Sequence, residues 1–146
     1  MTACEGGSPR LGIKVLLVED DQPTLELLSL YLRRLYRIKA FSSGEEGLHA
    51  LCTDDDITVI VTDLRMPGVN GYDILRFAAG HAQRTGRMIP AIVLTGHGTP
   101  EDERQARSIG VMHFQRKPID LRQLRQAIEM CSKPISAPNL GRATAG

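Results

Sequence analysis

A chain of 146 residues, 42% hydrophobic and 24% charged, can bury one core without disulfides or structural metal and has the composition of an ordinary soluble domain. Eighteen basic residues against 17 acidic ones leave a formal net charge of +1, which excludes a general attraction for nucleic acid phosphates. No apolar run approaches the ~18 residues of a membrane span, and Cys4, Cys52 and Cys131 lack metal-gathering spacing and read as reduced thiols.

Residues 1–12 are small and polar, without the apolar stretch of an export signal, so a disordered N-terminal segment and a cytoplasmic location are expected. Lys14–Val18 is the first strand candidate. A helix follows with Pro23 in its first turn and Leu25, Leu28, Leu32 and Leu35 on one apolar stripe. Tyr36–Phe41 reads as a second strand whose polar residues mark a sheet edge, and Ser43 with Glu46 gives the next helix a capping-box pattern. The run Asp54-Asp55-Asp56 precedes the third strand candidate, Thr58–Thr62, and is expected to be a solvated loop at the rim away from that strand's carboxyl end. Asn70 caps a third helix, and Ile89–Thr95 is a fourth strand, apolar through most of its length.

Thr99-Pro100-Glu101 starts a fourth helix whose stretch Glu101–Ser108 is polar apart from Ala106, so it is expected to sit loosely and to be easily displaced. Met112–Arg116 is the fifth strand and the other edge. Asp120 with Gln123 opens a last helix whose buried stripe is Leu121, Leu124 and Ile128. Residues 132–146 are rich in Pro, Ser, Ala and Gly and read as a disordered tail or linker. Five strands alternating with five helices predict an α/β fold with a doubly wound parallel sheet over residues 13–131.

In such a sheet functional groups gather at the carboxyl ends of the strands. Here strand one ends in Glu19-Asp20-Asp21, strand three in Asp63, strand four in Thr95 and strand five in Lys117-Pro118. Crowded carboxylates repel one another and form a trap for a hard divalent cation, for which Mg²⁺ is the natural occupant. Asp21, just before Pro23, is read as complementing the positive end of a helix. His49, His81, His97 and His113 share no metal spacing.

The segments Val15-Leu16-Leu17-Val18-Glu19-Asp20-Asp21, Val61-Thr62-Asp63-Leu64-Arg65-Met66-Pro67-Gly68, Val93-Leu94-Thr95-Gly96 and Lys117-Pro118 together resemble the receiver domains of two-component response regulators over about Ile13 to Cys131. The resemblance implies a flavodoxin-like fold with strand order 2-1-3-4-5. It also implies that Asp63 accepts a phosphoryl group from a phosphohistidine of a sensor histidine kinase or histidine phosphotransfer protein. Glu19, Asp20 and Asp63 would hold Mg²⁺ with side-chain oxygens and Arg65 with its backbone carbonyl, while Lys117 and Thr95 would contact the phosphoryl oxygens. Thr95 and Phe114 would form the switch, and a downstream protein would meet the face of helix four, strand five and helix five. By the same resemblance the Lys117–Pro118 bond is expected to be cis.

Three further expectations concern function. A phosphohydrolase with an aspartyl nucleophile would need an acid two residues beyond it, where this chain has Arg65, so a signalling phosphoacceptor and not an enzyme acting on other substrates is expected. An interaction module that is never phosphorylated would lack an acid, the acceptor or the lysine, and none is missing. The last helix lacks the Glu-Leu-x-Ala-Arg pattern of the winged-helix DNA-binding subfamily, so a stand-alone receiver without nucleic acid or membrane contact is expected. The Arg65 side chain, free of the metal, is expected to extend over the acyl phosphate and obstruct water, with His97 narrowing the same opening.

Overall fold

The computed structural model describes residues 12–132, so nearly all of the segments 1–12 and 132–146 lies outside the described residues. Five strands alternate with five helices: β1 (Lys14–Val18), α1 (Gln22–Arg33), β2 (Arg37–Phe41), α2 (Gly44–Thr53), β3 (Val59–Asp63), α3 (Gly71–Thr85), β4 (Ala91–Thr95), α4 (Pro100–Ile109), β5 (His113–Arg116) and α5 (Leu121–Ser132). The strands form one parallel sheet in the order β2-β1-β3-β4-β5, so the expected 2-1-3-4-5 arrangement and both predicted edges are present. Each helix returns antiparallel to the sheet. The described segment therefore begins and ends at the rim where the strands start.

Strand side chains point alternately to the two faces, and each face has its own apolar layer. Leu16, Val18, Ile60 and Val93 pack with Leu51, Ile74, Leu75 and Ala106 of α2, α3 and α4. On the other face Val15, Leu17, Val61 and Leu94 meet Leu25, Leu28 and Leu32 of α1 and Leu124 and Ile128 of α5. Burial on both faces is why β1, β3 and β4 carry so few polar residues. Among the described residues no helix is long and apolar enough to cross a membrane, and Cys52 and Cys131 are free thiols.

Four strands begin slightly later than the apolar runs suggest. Tyr36 closes the turn after α1, with its backbone N–H donating to the Leu32 carbonyl. Thr58 bonds Lys14 through both backbone and hydroxyl before the ladder of β3 begins. Pro90 has no N–H to offer, although its carbonyl accepts from Ile60, and Met112 donates to the Ala91 carbonyl just ahead of β5.

Most helix starts follow the sequence signals. Asp21 caps α1 by accepting from the Thr24 N–H, and Ser43 accepts from Glu46 on α2. Asn70 with Asp73 and Thr99 with Asp102 form complete capping boxes on α3 and α4. Asp120 accepts from Arg122 and Gln123, but the Gln123 side chain accepts from Gln115 and does not reach back to the cap.

Side-chain pairing across the fold adds to two expectations. Asp55 and Asp56 are exposed in a turn at the rim away from Asp63, as expected, and Asp54 beside them is half-buried. It caps the end of α2, with Lys14 Nζ at 2.6 Å and Lys39 Nζ at 2.9 Å, and these ammonium groups hold its carboxyl well below the usual range. α4 has the thin apolar attachment expected of it, with Ala106 buried, and it also carries a polar anchor. Asp102, in its first turn, is buried and accepts from Tyr72 Oη of α3 at 2.8 Å and from Arg65 Nη2 at 2.7 Å.

Candidate functional site

The carboxyl rim of the sheet brings the strand-end residues together. Glu19 leaves β1 with its backbone N–H bonded to the Phe41 carbonyl, which directs its side chain into the crevice between β1 and β3. Asp63 is the last residue of β3 and Thr95 the last of β4, while Lys117 follows β5 and donates its backbone N–H to the Thr95 carbonyl at 2.8 Å. The Lys117–Pro118 peptide is cis, as expected.

Close packing of α3 fixes Asp63 from below. Gly71 donates its N–H to the Leu64 carbonyl, and a Cβ on Gly71 would lie 2.3 Å from the Asp63 carbonyl oxygen. Only glycine permits that approach.

Glu19 and Asp63 are buried, at 1% and 7% exposure, whereas Asp20 is exposed at the crevice mouth. One oxygen from each of the three carboxylates fits within a mutual distance of 4.8 Å. Lys117 Nζ stands 3.1 Å from Asp63 Oδ2 and 2.8 Å from Glu19 Oε1. The buried Glu19 Oε1 has this ammonium as its charged neighbour. Burial pushes the Glu19 carboxyl up, with Asp63 adding to the rise and Lys117 opposing it. For Lys117 burial acts downward, but Glu19 and Asp63 outweigh it and raise the ammonium above its ordinary value. A compact set of hard carboxylate oxygen donors, two of the residues buried and one at the mouth, fits a divalent cation such as Mg²⁺.

A cavity of about 300 Å³ opens over these groups, lined also by Thr95, His97 and Arg65. His97 is exposed at its mouth, where the sequence put it, and its backbone N–H donates to Thr95 Oγ1 at 3.4 Å. Arg65 lines the same cavity. Its backbone N–H points to Asp63 Oδ1 at 3.4 Å, but its guanidinium turns aside to Asp102 and does not cover Asp63. That pairing, followed by the Thr99 N–H and the Tyr72 hydroxyl, holds the buried Asp102 carboxyl well below the usual carboxylate range.

Phe114 of β5 is partly buried against the core, with the Arg116 guanidinium 5.5 Å from its ring centroid. The ring lies under Gly98, where an added Cβ would come within 2.9 Å of it and 2.5 Å of Thr95 Cγ2. Thr95, the loop after β4 and the aromatic ring are thus packed as one unit. Asp102 and Tyr72 are the site-associated residues missed by sequence reasoning. The capping spacing Thr99-Pro100-Glu101-Asp102 was visible, but the second task of Asp102 requires a partner 37 positions away.

Comparison with known proteins places this geometry in a group. A family model described as response regulator receiver domain matches residues 15–129. The chain is 35% identical over 116 residues to the transcriptional regulatory protein GlrR of Escherichia coli K12, covering 79% of this chain and 25% of that protein. It is 32% identical over 114 residues to a probable cyclic di-GMP phosphodiesterase of Vibrio cholerae, again covering 25% of the relative and 78% of this chain. The chain thus spans about a quarter of the length of these two relatives. Among solved structures, a response regulator receiver domain protein from Clostridium thermocellum superposes with a TM-score of 0.71 at 30% identity, covering 82% of this chain and 93% of that one.

Proposed function

The chain belongs to the response regulator receiver domain family, phosphoacceptors of two-component signalling, and on that premise we propose that Asp63 is the residue phosphorylated and that the reaction depends on Mg²⁺. The observation that carries the reading is the buried Asp63 carboxylate at a strand end, 3.1 Å from Lys117 Nζ and grouped with Glu19 and Asp20. Glu19, Asp20 and Asp63 would hold the cation, with the Arg65 backbone carbonyl completing the protein's share. Bound there, Mg²⁺ supplies charge neutralisation for a phosphoryl group in transfer.

The chain's own residues do the rest. An oxygen of Asp63 forms the new P–O bond as the P–N bond of the donor phosphohistidine breaks, and the electron pair of that bond leaves with the imidazole. Lys117 neutralises an equatorial phosphoryl oxygen, and the Thr95 hydroxyl donates to another. Drawing Thr95 toward Asp63 disturbs the packed unit of Thr95, Gly98 and Phe114, and so the position of α4 and β5. The donor is a histidine kinase or histidine phosphotransfer protein, and the α4, β5 and α5 face meets the downstream protein. The two relatives differ in their named activities, which fits a common input unit serving different outputs. A phosphohydrolase reading finds no support, because Arg65 occupies the position where the second acid would stand and is paired with Asp102.

The direct test is labelling by a small phosphodonor such as acetyl phosphate, with and without Mg²⁺. Asp63→Asn should abolish Mg²⁺-dependent labelling, because the amide cannot serve as this nucleophile. Undiminished labelling of that variant would refute the assignment.

A further inference from the structure

We propose that Asp102 is a positioning residue for the phosphorylated site: it holds the Arg65 guanidinium aside in the resting protein, and Arg65 leaves it for the phosphoryl oxygens when Asp63 is modified, freeing the first turn of α4. This inference rests on the reading of Asp63 as phosphoacceptor.

Arg65 belongs to both places. It lines the cavity over Asp63, its backbone N–H faces Asp63 Oδ1, and its guanidinium ends 2.7 Å from Asp102 Oδ1 in the first turn of α4. The partners are unequal in mobility. The Asp102 side chain is 7% exposed and fixed by its helix, whereas that of Arg65 is 61% exposed. When the pair breaks, the guanidinium is therefore the part that moves.

Phosphorylation would bring a strongly charged group, with oxygens suited to bidentate guanidinium contact, within two residues of Arg65. Departure of Arg65 would not strand a bare buried anion. Asp102 Oδ1 would keep the Tyr72 hydroxyl at 2.8 Å, and Oδ2 would keep the Thr99 N–H at 3.1 Å. What α4 would lose is its ionic link to the loop after β3. Its buried apolar contribution is Ala106, so the link is a large part of what locates it. The exchange of partners converts a change of charge at Asp63 into freedom of a helix, and it also places a cation across the approach of water to phosphorus.

Both effects can be read in the full chain. Labelling of the parent at Asp63, measured first, tests the functional reading on its own. Decay of the acyl phosphate at saturating Mg²⁺ then tests the inference. Asp102→Asn preserves the shape and the cap while weakening the hold on Arg65, so its phosphorylated form should outlive the parent by about fivefold, the low end of ordinary coupling between sites. That gain should disappear in Asp102→Asn combined with Arg65→Ala. Hydrogen exchange supplies a second readout that does not depend on the lifetime. Amides in the first turn of α4 should exchange faster in the parent after phosphorylation, and in Arg65→Ala they should exchange fast beforehand with no further change. Equal lifetimes for the parent and a folded Asp102→Asn would overturn the proposal. So would parent-like protection of α4 in unphosphorylated Arg65→Ala, a result that decides the matter even if Asp102→Asn fails to fold.

Discussion

Lys117 offsets two acids at once. Its ammonium lies between Glu19 Oε1 and Asp63 Oδ2, and without it two buried carboxylates would face each other across the crevice. Removing it should therefore affect chemistry and metal in opposite directions. Lys117→Ala should lower the rate of labelling by acetyl phosphate on the order of 100-fold, the usual cost of deleting one charge-stabilising donor. Affinity for Mg²⁺ should hold or rise, because a competing cation has gone. Calorimetric titration with Mg²⁺ beside the labelling assay separates these effects, and normal labelling would remove Lys117 from the reaction. These site residues were legible in the sequence because each sits at the end of a recognisable strand, where the topology itself brings distant positions together. The direction of the Arg65 side chain was not legible. It is decided by a buried carboxylate on another helix, whose attraction no local pattern records.

At the scale of elements, the seating of α3 on β3 controls how accurately Asp63 is presented. Gly71 opens α3 so close to the strand end that a methyl group there would meet backbone atoms, the Asp63 carbonyl oxygen at 2.3 Å and the Leu64 Cα at 2.8 Å. Backbone cannot swing away as a side-chain tip can. Gly71→Ala should cost roughly 1–3 kcal/mol in stability, read from denaturant midpoints, and should slow labelling by displacing the acceptor. A variant as stable and as readily labelled as the parent would show that α3 can shift without penalty. Element types and order could be read from period and capping residues, since buried parallel strands and amphipathic helices leave different apolar spacings. Boundaries were less legible: Thr58 has a strand-like side chain and strand-like partners but stands outside the ladder, and Pro90 ends the ladder only because it lacks an N–H. The anchoring of α4 by Asp102 was not legible for a related reason. Its anchor is polar, and a polar residue in a polar helix gives no sign that it is buried.

For the whole molecule, Asp54 ties both the first strand and the neighbouring edge strand to the end of α2 through Lys14 and Lys39. A carboxyl held below its ordinary value in the folded chain binds its proton less readily there than in the unfolded chain. The stability it contributes is present above the ordinary carboxylate value of about 4 and is lost as pH falls through the lower folded value. Asp54→Asn should accordingly be less stable than the parent by about 1 kcal/mol at pH 7, with the gap closing in strongly acidic solution. Denaturant midpoints of both proteins at pH 7 and along a series descending from pH 4 check this, and a gap that does not shrink along the series would point to packing in place of charge. β1 starts and α5 finishes at the rim opposite Asp63, so the described chain enters and leaves the fold at one pole while the strand-end acids occupy the other. A phosphoryl group on Asp63, as proposed, would lie the depth of the sheet away from both ends of the described chain, on the order of 17 Å for a five-residue strand. Separation of the two poles also lets an attached module be exchanged for another without crowding the approach of the donor.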